Sequence, residues 1–209
     1  LPDADWPYLG QGLLTPHSTG FGGEGAPMYW GGAAITVDMF DPIVLKADFV
    51  WGKKSSAIEN VRRDGWMVDF AAEYTGLDFM TPELVFAYSS GENDDPDDGS
   101  ERMPVLDNDG GWYVGSFFFG GGNLLQDDMN AGEGGRVLGF WTLALQLKDI
   151  SFIEKFSHDL YFVYAKGTND KDLLDNWNSN FDPGGSIAYG RTLFEDDYII
   201  EVSMGNEYQ

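Results

Sequence analysis

An all-β fold, an antiparallel transmembrane β-barrel, is what this sequence predicts, and three observations predict it. Apolar and polar residues alternate along successive stretches, with aromatics near the ends of the apolar rows. Charged residues recur on the opposite faces of the same stretches. The connections alternate between short and long, as expected when short turns face the periplasm and long loops the exterior. Side chains alternate across a strand, so each stretch gains one apolar face and one wet face.

Taken in order, residues 1–27 are rich in Gly, Pro and Thr and read as a loop with one helical turn near Leu13. Residues 28–91 are expected to hold four strands. In the first, Tyr29, Gly31, Ala33, Ile35, Val37 and Met39 share a face opposite Thr36 and Asp38. A tight turn at Phe40-Asp41-Pro42 leads to the second, where Ile43, Leu45, Ala47, Phe49 and Trp51 oppose Lys46 and Asp48. Pairing Met39 with Ile43 keeps both apolar rows on one side. After a polar connection, Trp66, Val68, Phe70, Ala72 and Tyr74 form the third row against Asp69 and Glu73, and Leu84, Phe86 and Tyr88 the fourth.

Residues 92–134 are expected as a long acidic, Gly-rich loop whose aromatic run Trp112–Phe119 folds against a wall or over a pore. Residues 135–209 are expected to hold four more strands. Val137, Gly139, Trp141, Leu143, Leu145 and Leu147 alternate with Arg136, Thr142, Gln146 and Lys148. Asp159–Lys166 follows, then a polar loop at 168–184 with one or two helical turns. A final hairpin pairs Ser186–Phe194 with Tyr198–Gly205, where Tyr198, Ile200, Val202 and Met204 oppose Glu201 and Ser203. The predicted connections at 40–42, 77–81, 149–157 and 195–197 are short; those at 52–65, 92–134 and 168–184 are long. About eight strands begun and finished on the long-loop side would put both chain ends outside the cell, so the sequence reads as one barrel domain over 1–209 and the inner portion of a longer chain.

Composition narrows the function classes. A net charge of -23, from 35 acidic and 12 basic residues, argues against nucleic acid, whose phosphates need Lys and Arg. There is no cysteine, hence no disulfide and no Cys-based metal site. No apolar run reaches the ~18 residues of a transmembrane helix, which leaves barrel strands untouched because half their residues are polar. For catalysis, His17 and His158 are the only histidines and neither belongs to a triad or metal motif. No catalytic residue and no enzymatic activity is expected; an outer-membrane lipase or protease is the form an enzyme would take. Asp94, Asp95, Asp97 and Asp98 offer an irregular calcium site, although Gly99 stands one place late for an EF-hand loop, and a solvated acidic loop is the plain alternative. No other cofactor is expected.

The inward faces carry the candidate site: Lys46, Asp48, Asp69, Glu73, Arg136, Gln146, Lys148 and Glu201, read as lining a water-filled pore. Leu45, Phe49, Phe70, Leu143 and Val202 are expected to face lipid. The acids Asp94, Asp95, Asp97, Asp98, Asp127 and Asp128 crowd the expected outer mouth and predict a mild cation preference. A flat patch of Gly31, Ala33 and Ala47 suits contact between copies. The competing fold is a soluble β-sandwich, a carbohydrate- or calcium-binding module or adhesin, whose apolar faces would turn inward.

The runs Met28-Tyr-Trp-Gly-Gly-Ala-Ala, Lys46-Ala-Asp-Phe-Val-Trp-Gly, Thr81-Pro-Glu-Leu, Tyr88-Ser-Ser-Gly-Glu and Glu101-Arg-Met-Pro look like outer-membrane homotrimeric porins of sulfate-reducing bacteria, over roughly residues 28–205. The resemblance implies a 16-stranded homotrimeric barrel of which this chain supplies about half. It also implies a place in the bacterial outer membrane among lipid and lipopolysaccharide, and passive diffusion of small hydrophilic solutes. No motif here matches the family's inward-folded loop. Alginate-export-type barrels share a similar texture and are the rival within the same fold.

Overall fold

The computed structural model describes residues 27–55, 62–95, 98–104, 139–153, 155–172 and 193–208. The helical turns near Leu13 and within 170–178, the aromatic run Trp112–Phe119, the strand residues Ser186–Thr192, and Arg136, Asp97, Asp127 and Asp128 all lie outside those residues or largely so.

Among the described residues there are seven strands: β1 (Met28–Phe40), β2 (Ile43–Lys54), β3 (Arg63–Tyr74), β4 (Thr81–Ser89), β5 (Phe140–Ile153), β6 (Phe156–Gly167) and β7 (Tyr198–Tyr208). They form one sheet in sequence order, each antiparallel to the next. β1 and β7 are the two edges, and with antiparallel neighbours throughout they run in the same direction. The strands are long, 9 to 14 residues, because apolar rows with Val, Ile, Phe, Tyr and Trp at alternate positions suit a pleated surface.

Connection lengths alternate as predicted. Two residues join β1 to β2, and the β3–β4 and β5–β6 connections are also short, while the β2–β3, β4–β5 and β6–β7 connections are longer. All the long ones leave from one end of the sheet, hereafter the long-connection end.

Three sequence expectations change. Met39 is not the partner of Ile43; Phe40 is, because the register shifts between Val37 and Phe40. One extra residue in β1 there lets a two-residue turn, with a cis Asp41–Pro42 peptide, still keep both apolar rows on one face. Asp149–Ser157 is largely strand rather than connection, with irregular pairing between Leu147 and Ile153 and positive φ at Asp149 and Lys155. β7 pairs along its length with β6, from Lys166↔Tyr198 to Phe156↔Tyr208, and Phe194 makes only an isolated parallel bridge to Asn169. The first arm of the predicted last hairpin, Ser186–Thr192, lies outside the described residues, and β6 is the described partner of β7. β7 consequently finishes at the short-connection end, not on the long-loop side.

The two faces of the sheet differ sharply. On one, Phe70, Leu143 and Val202 are 40%, 45% and 67% exposed; on the other, the neighbours Val85 and Ala144 are 5% and 1% exposed. We call these the outer and inner faces. Val85, Ala144 and Val163, with Ala71 against them, pack side by side on the inner face across β3 to β6. A second inner cluster of Ala87, Phe140 and Leu193, flanked by Met67 and Ile199, lies nearer the long-connection end.

Candidate functional site: a charged inner face beneath two inward connections

The outer face sets the frame. Cross-strand registers put Ile35, Ala47, Phe70, Phe86, Leu143, Tyr164 and Ile200 on one continuous rung, and Val37, Leu45, Ala72, Leu84, Leu145, Phe162 and Val202 on the next. Phe49, Phe70, Leu143 and Val202 are exposed there and Leu45 is half-buried. Toward the long-connection end the belt finishes in aromatics. Trp51 is opposite Trp66, and Tyr88 opposite Trp141. Trp66 stacks on Tyr88 at 4.9 Å and Tyr164 on Tyr198 at 6.2 Å. Toward the other end stand Phe40, Tyr74, Phe79, Phe152, Phe156 and Tyr208, with Phe79 stacked on Phe152 at 5.3 Å. From the Trp51↔Trp66 rung to the Ile43↔Tyr74 rung is eight residue steps, which at ~3.4 Å per residue is about 27 Å along the strand. With a barrel-like tilt of ~40° that becomes about 20 Å of height.

On the inner face the sheet gathers charge in one place. Glu73 of β3 stands directly opposite Glu83 of β4, a like-charge pair that costs free energy unless compensated. Two lysines compensate it from either side. Lys46 Nζ lies 2.7 Å from Glu73 Oε2 and 4.0 Å from Glu83 Oε1; Lys148 Nζ lies 3.0 Å from Glu83 Oε2 and 3.9 Å from Glu73 Oε1. The same rung continues through Gln146, Tyr161 and Ser203. Two rungs nearer the long-connection end, past the rung of Ala71, Val85 and Ala144, Asp48 faces Asp69 without an ion pair among the described residues. Glu201, buried, accepts a 2.7 Å bond from the Ser203 hydroxyl. Of the predicted inward residues, Lys46, Glu73 and Lys148 thus come together; Asp48 and Asp69 pair apart from them, and Gln146 and Glu201 lie on the same face. Arg136 lies outside the described residues. Glu83 was missed by sequence reasoning, which started that strand at Leu84; its place one residue before the apolar row was the available signal.

At the long-connection end the chain folds back over the inner face. Ser100 pairs with β3 through Asp64 N to Ser100 O and Ser100 N to Arg62 O, both 2.9 Å. Residues 101–104 then pass over Gly65 of β3 and Gly52 of β2 to Trp30 of β1, whose indole donates to Pro104 O at 2.9 Å. Gly65 and Gly52 are direct partners in the sheet, and a Cβ at Gly65 would meet Glu101 O at 2.2 Å, one at Gly52 the Met103 and Pro104 side chains at 3.0 Å. Glycine in a strand marks such a close backbone approach, and this was the sequence signal for the inward segment. Ser90 ties its near end down, accepting from Trp66 N at 2.9 Å and donating to Glu101 O at 2.6 Å.

Beneath this segment lie charged residues that the sequence placed in polar connections. Lys54 and Arg63, opposite one another, are buried at the ends of β2 and β3, as are Glu92 and Arg102. Glu92 Oε2 accepts from the Ser100 hydroxyl and sits 3.4 Å from Arg102 Nε; its Oε1 has no hydrogen-bond partner among the described residues. Burial pushes the Glu92 carboxyl up to about 7, against the opposing pull of Arg102 and the Ser100 hydroxyl. The connection after β6 folds inward too: Leu193 and Phe194 lie over Gly167 of β6, and Leu193 joins the inner apolar cluster.

In the acidic loop, Asn93 Nδ2 donates to Asp98 Oδ2 at 3.2 Å and Asp95 N to Asn93 Oδ1 at 2.7 Å. Asp94 and Asp95 are exposed, and among the described residues no group of three or more His, Cys, Asp or Glu is gathered for a metal. His158, the only described histidine, contacts Asn206 Oδ1 at 2.6 Å at the short-connection end and makes no described contact with the charged network. Compared with known protein families, characterised proteins and solved structures, the chain matches none. The geometry therefore stands on its own: a sheet apolar outside, charged inside, and partly overlaid at one end.

Proposed function

We propose that this chain forms part of the wall of an outer-membrane porin, a water-filled channel through which small hydrophilic solutes and ions diffuse passively, with a mild preference for cations. The observation that carries the reading is the outer face: an uninterrupted apolar belt, exposed on β2 to β7 and bordered by aromatics at both ends, backed by the Lys46–Glu73–Glu83–Lys148 network. Water-soluble proteins rarely expose a contiguous apolar patch of more than a few hundred Å², whereas lipid removes that cost and the aromatics suit the two interfaces. In a β-sandwich those rows would pack against a second sheet, and all seven described strands belong to one.

The inner charges give the proposed selectivity. Below the level of the inward segment, Asp48, Asp69, Glu73, Glu83 and Glu201 outnumber Lys46 and Lys148, while Lys54, Arg63 and Arg102 are buried beside Glu92 at the long-connection end, so the open middle of the wall is negative and would concentrate cations. The inward 98–104 segment narrows the passage at the long-connection end. Gly31 and Ala33, exposed on the outer face of β1, and Ala47 beside them form the flat surface through which copies associate as a homotrimer. The test is reconstitution into planar bilayers under a salt gradient. Discrete conductance with a cation-signed reversal potential, weakening as salt rises, is expected; a chain that stays monodisperse in detergent-free buffer and gives no conductance overturns the proposal.

A further inference from the structure

We propose that residues 90–104 after β4 and residues 168–170 and 193–195 after β6 act as one strap across the inner face and release together, with Asn169 the residue that positions both. Asn169 is fully buried. Its Nδ2 donates to Gly139 O at 3.2 Å and to Leu193 O at 2.6 Å, and its Oδ1 accepts from Glu92 N at 3.0 Å. Glu92 and Gly139 are the two feet of the β4–β5 connection, and Leu193 is the returning foot of the β6–β7 connection. One amide side chain thus fastens three chain segments that are remote in sequence.

The backbone around it repeats the tie. Thr168 N donates to Gly139 O at 2.9 Å, Asp170 N to Glu92 O at 2.8 Å and Glu195 N to Asn169 O at 2.8 Å; the Thr168 hydroxyl donates to Ser89 O at 3.0 Å. There is no slack in the crossing, since a Cβ at Gly91 would come within 2.1 Å of Thr168 O and one at Gly139 within 2.3 Å of Asn169 Oδ1. From Glu92 the constraint passes onward. Its carboxylate holds the Ser100 hydroxyl and faces Arg102, and those residues sit on Gly65 and lead to Pro104 under Trp30. Loss of Asn169 therefore removes the support of a segment it does not touch. Closely packed, hydrogen-bonded units of this kind open cooperatively rather than bond by bond. The strap stands on this geometry; its effect on solute passage rests on the channel reading.

Amide hydrogen exchange on the full chain folded in detergent micelles tests it, with Asn169→Ala and, separately, Ser90→Ala, which frees Glu101 without touching Asn169. In N169A the amides of Asp64 and Ser100, which report the far end of the strap, are expected to exchange faster by about tenfold, as do those of Glu92 and Glu195. Faster exchange only at Glu92 and Glu195, with Asp64 and Ser100 unchanged, overturns the proposal. If N169A does not fold, S90A decides: the amides of Glu92, Asp170 and Glu195 must loosen with Ser100, and their staying protected overturns it. In bilayers N169A is expected to raise single-channel conductance. Conducting wild type with an unchanged N169A refutes the strap's role in passage, while a non-conducting wild type sinks the channel reading and leaves hydrogen exchange to judge the strap.

Discussion

Phe70→Arg places a charge at the centre of the outer belt, and its cost separates lipid from water on that face. Phe70 lies four residues from Trp66 and four from Tyr74, the aromatics at the two ends of its row, and is 40% exposed on a rung with Ala47, Phe86 and Leu143. At ~3.4 Å per residue and a tilt of ~40°, each aromatic is about 10 Å of height away, so position 70 lies midway between the two borders and would sit at the midplane of a bilayer on the proposed reading. Arg there is expected to cost about 2–4 kcal/mol, against about 0–1 kcal/mol for Tyr74→Arg at the border. Urea titration of folding into lipid vesicles, read by tryptophan emission, measures both. A gap of ~2 kcal/mol is about a thirtyfold difference in equilibrium constant. Equal costs at positions 70 and 74, or an F70R chain that becomes more stable and soluble without lipid, would refute the placement of this face in a bilayer.

Three further outcomes are expected. Asp48→Asn with Asp69→Asn removes two inner acids that lack a basic partner among the described residues, and should shrink the cation-signed reversal potential at low salt; an unchanged potential means the inner face does not line the path. The buried Glu92 holds its proton to about pH 7 in the folded chain against 4.5 when unfolded, so its contribution is complete below pH 4.5 and is lost as pH rises toward 7. The slope is about 1.4 kcal/mol per pH unit, a total of roughly 3 kcal/mol; stability curves at several pH values should lose that slope in Glu92→Gln, and a slope that persists assigns it elsewhere. Gly65→Val drives a side chain into Glu101 O and Met103 N and should cost about 1–3 kcal/mol while exposing the 101–104 backbone to protease; full protection would show that the segment does not need the Gly52–Gly65 notch.

How much of this was legible depended on whether a residue's place follows from its neighbours in sequence. The outer rows did, because a period of two through Phe70, Leu143 or Val202 leaves no other face for them. Lys46, Glu73 and Lys148 followed from the same parity, though only the register showed that they meet around Glu83. The direction of β7 was not legible, because alternation says which face a strand presents and nothing about which strand lies beside it; β6 pairs with it along its length. The buried polar group at the long-connection end was invisible for a different reason. Asn169, Glu92 and Arg63 sit in stretches whose composition reads as solvated, and only hydrogen bonds across 77 positions, as from Glu92 to Asn169, bring them inside. The glycines 52 and 65 were the local trace of that closure.

The shared direction of β1 and β7 bears on assembly. Two edges pointing alike cannot be zipped into an antiparallel seam, so the seven described strands cannot by themselves close and keep their ladder type at the join. A second copy inserted in the same sense offers an edge of the same polarity, and edge-to-edge union of like copies meets the same parity obstacle. On the proposed trimer reading, copies standing side by side in one orientation would touch flank to flank, through residues such as Gly31 and Ala33, with the ladders of the described strands left separate.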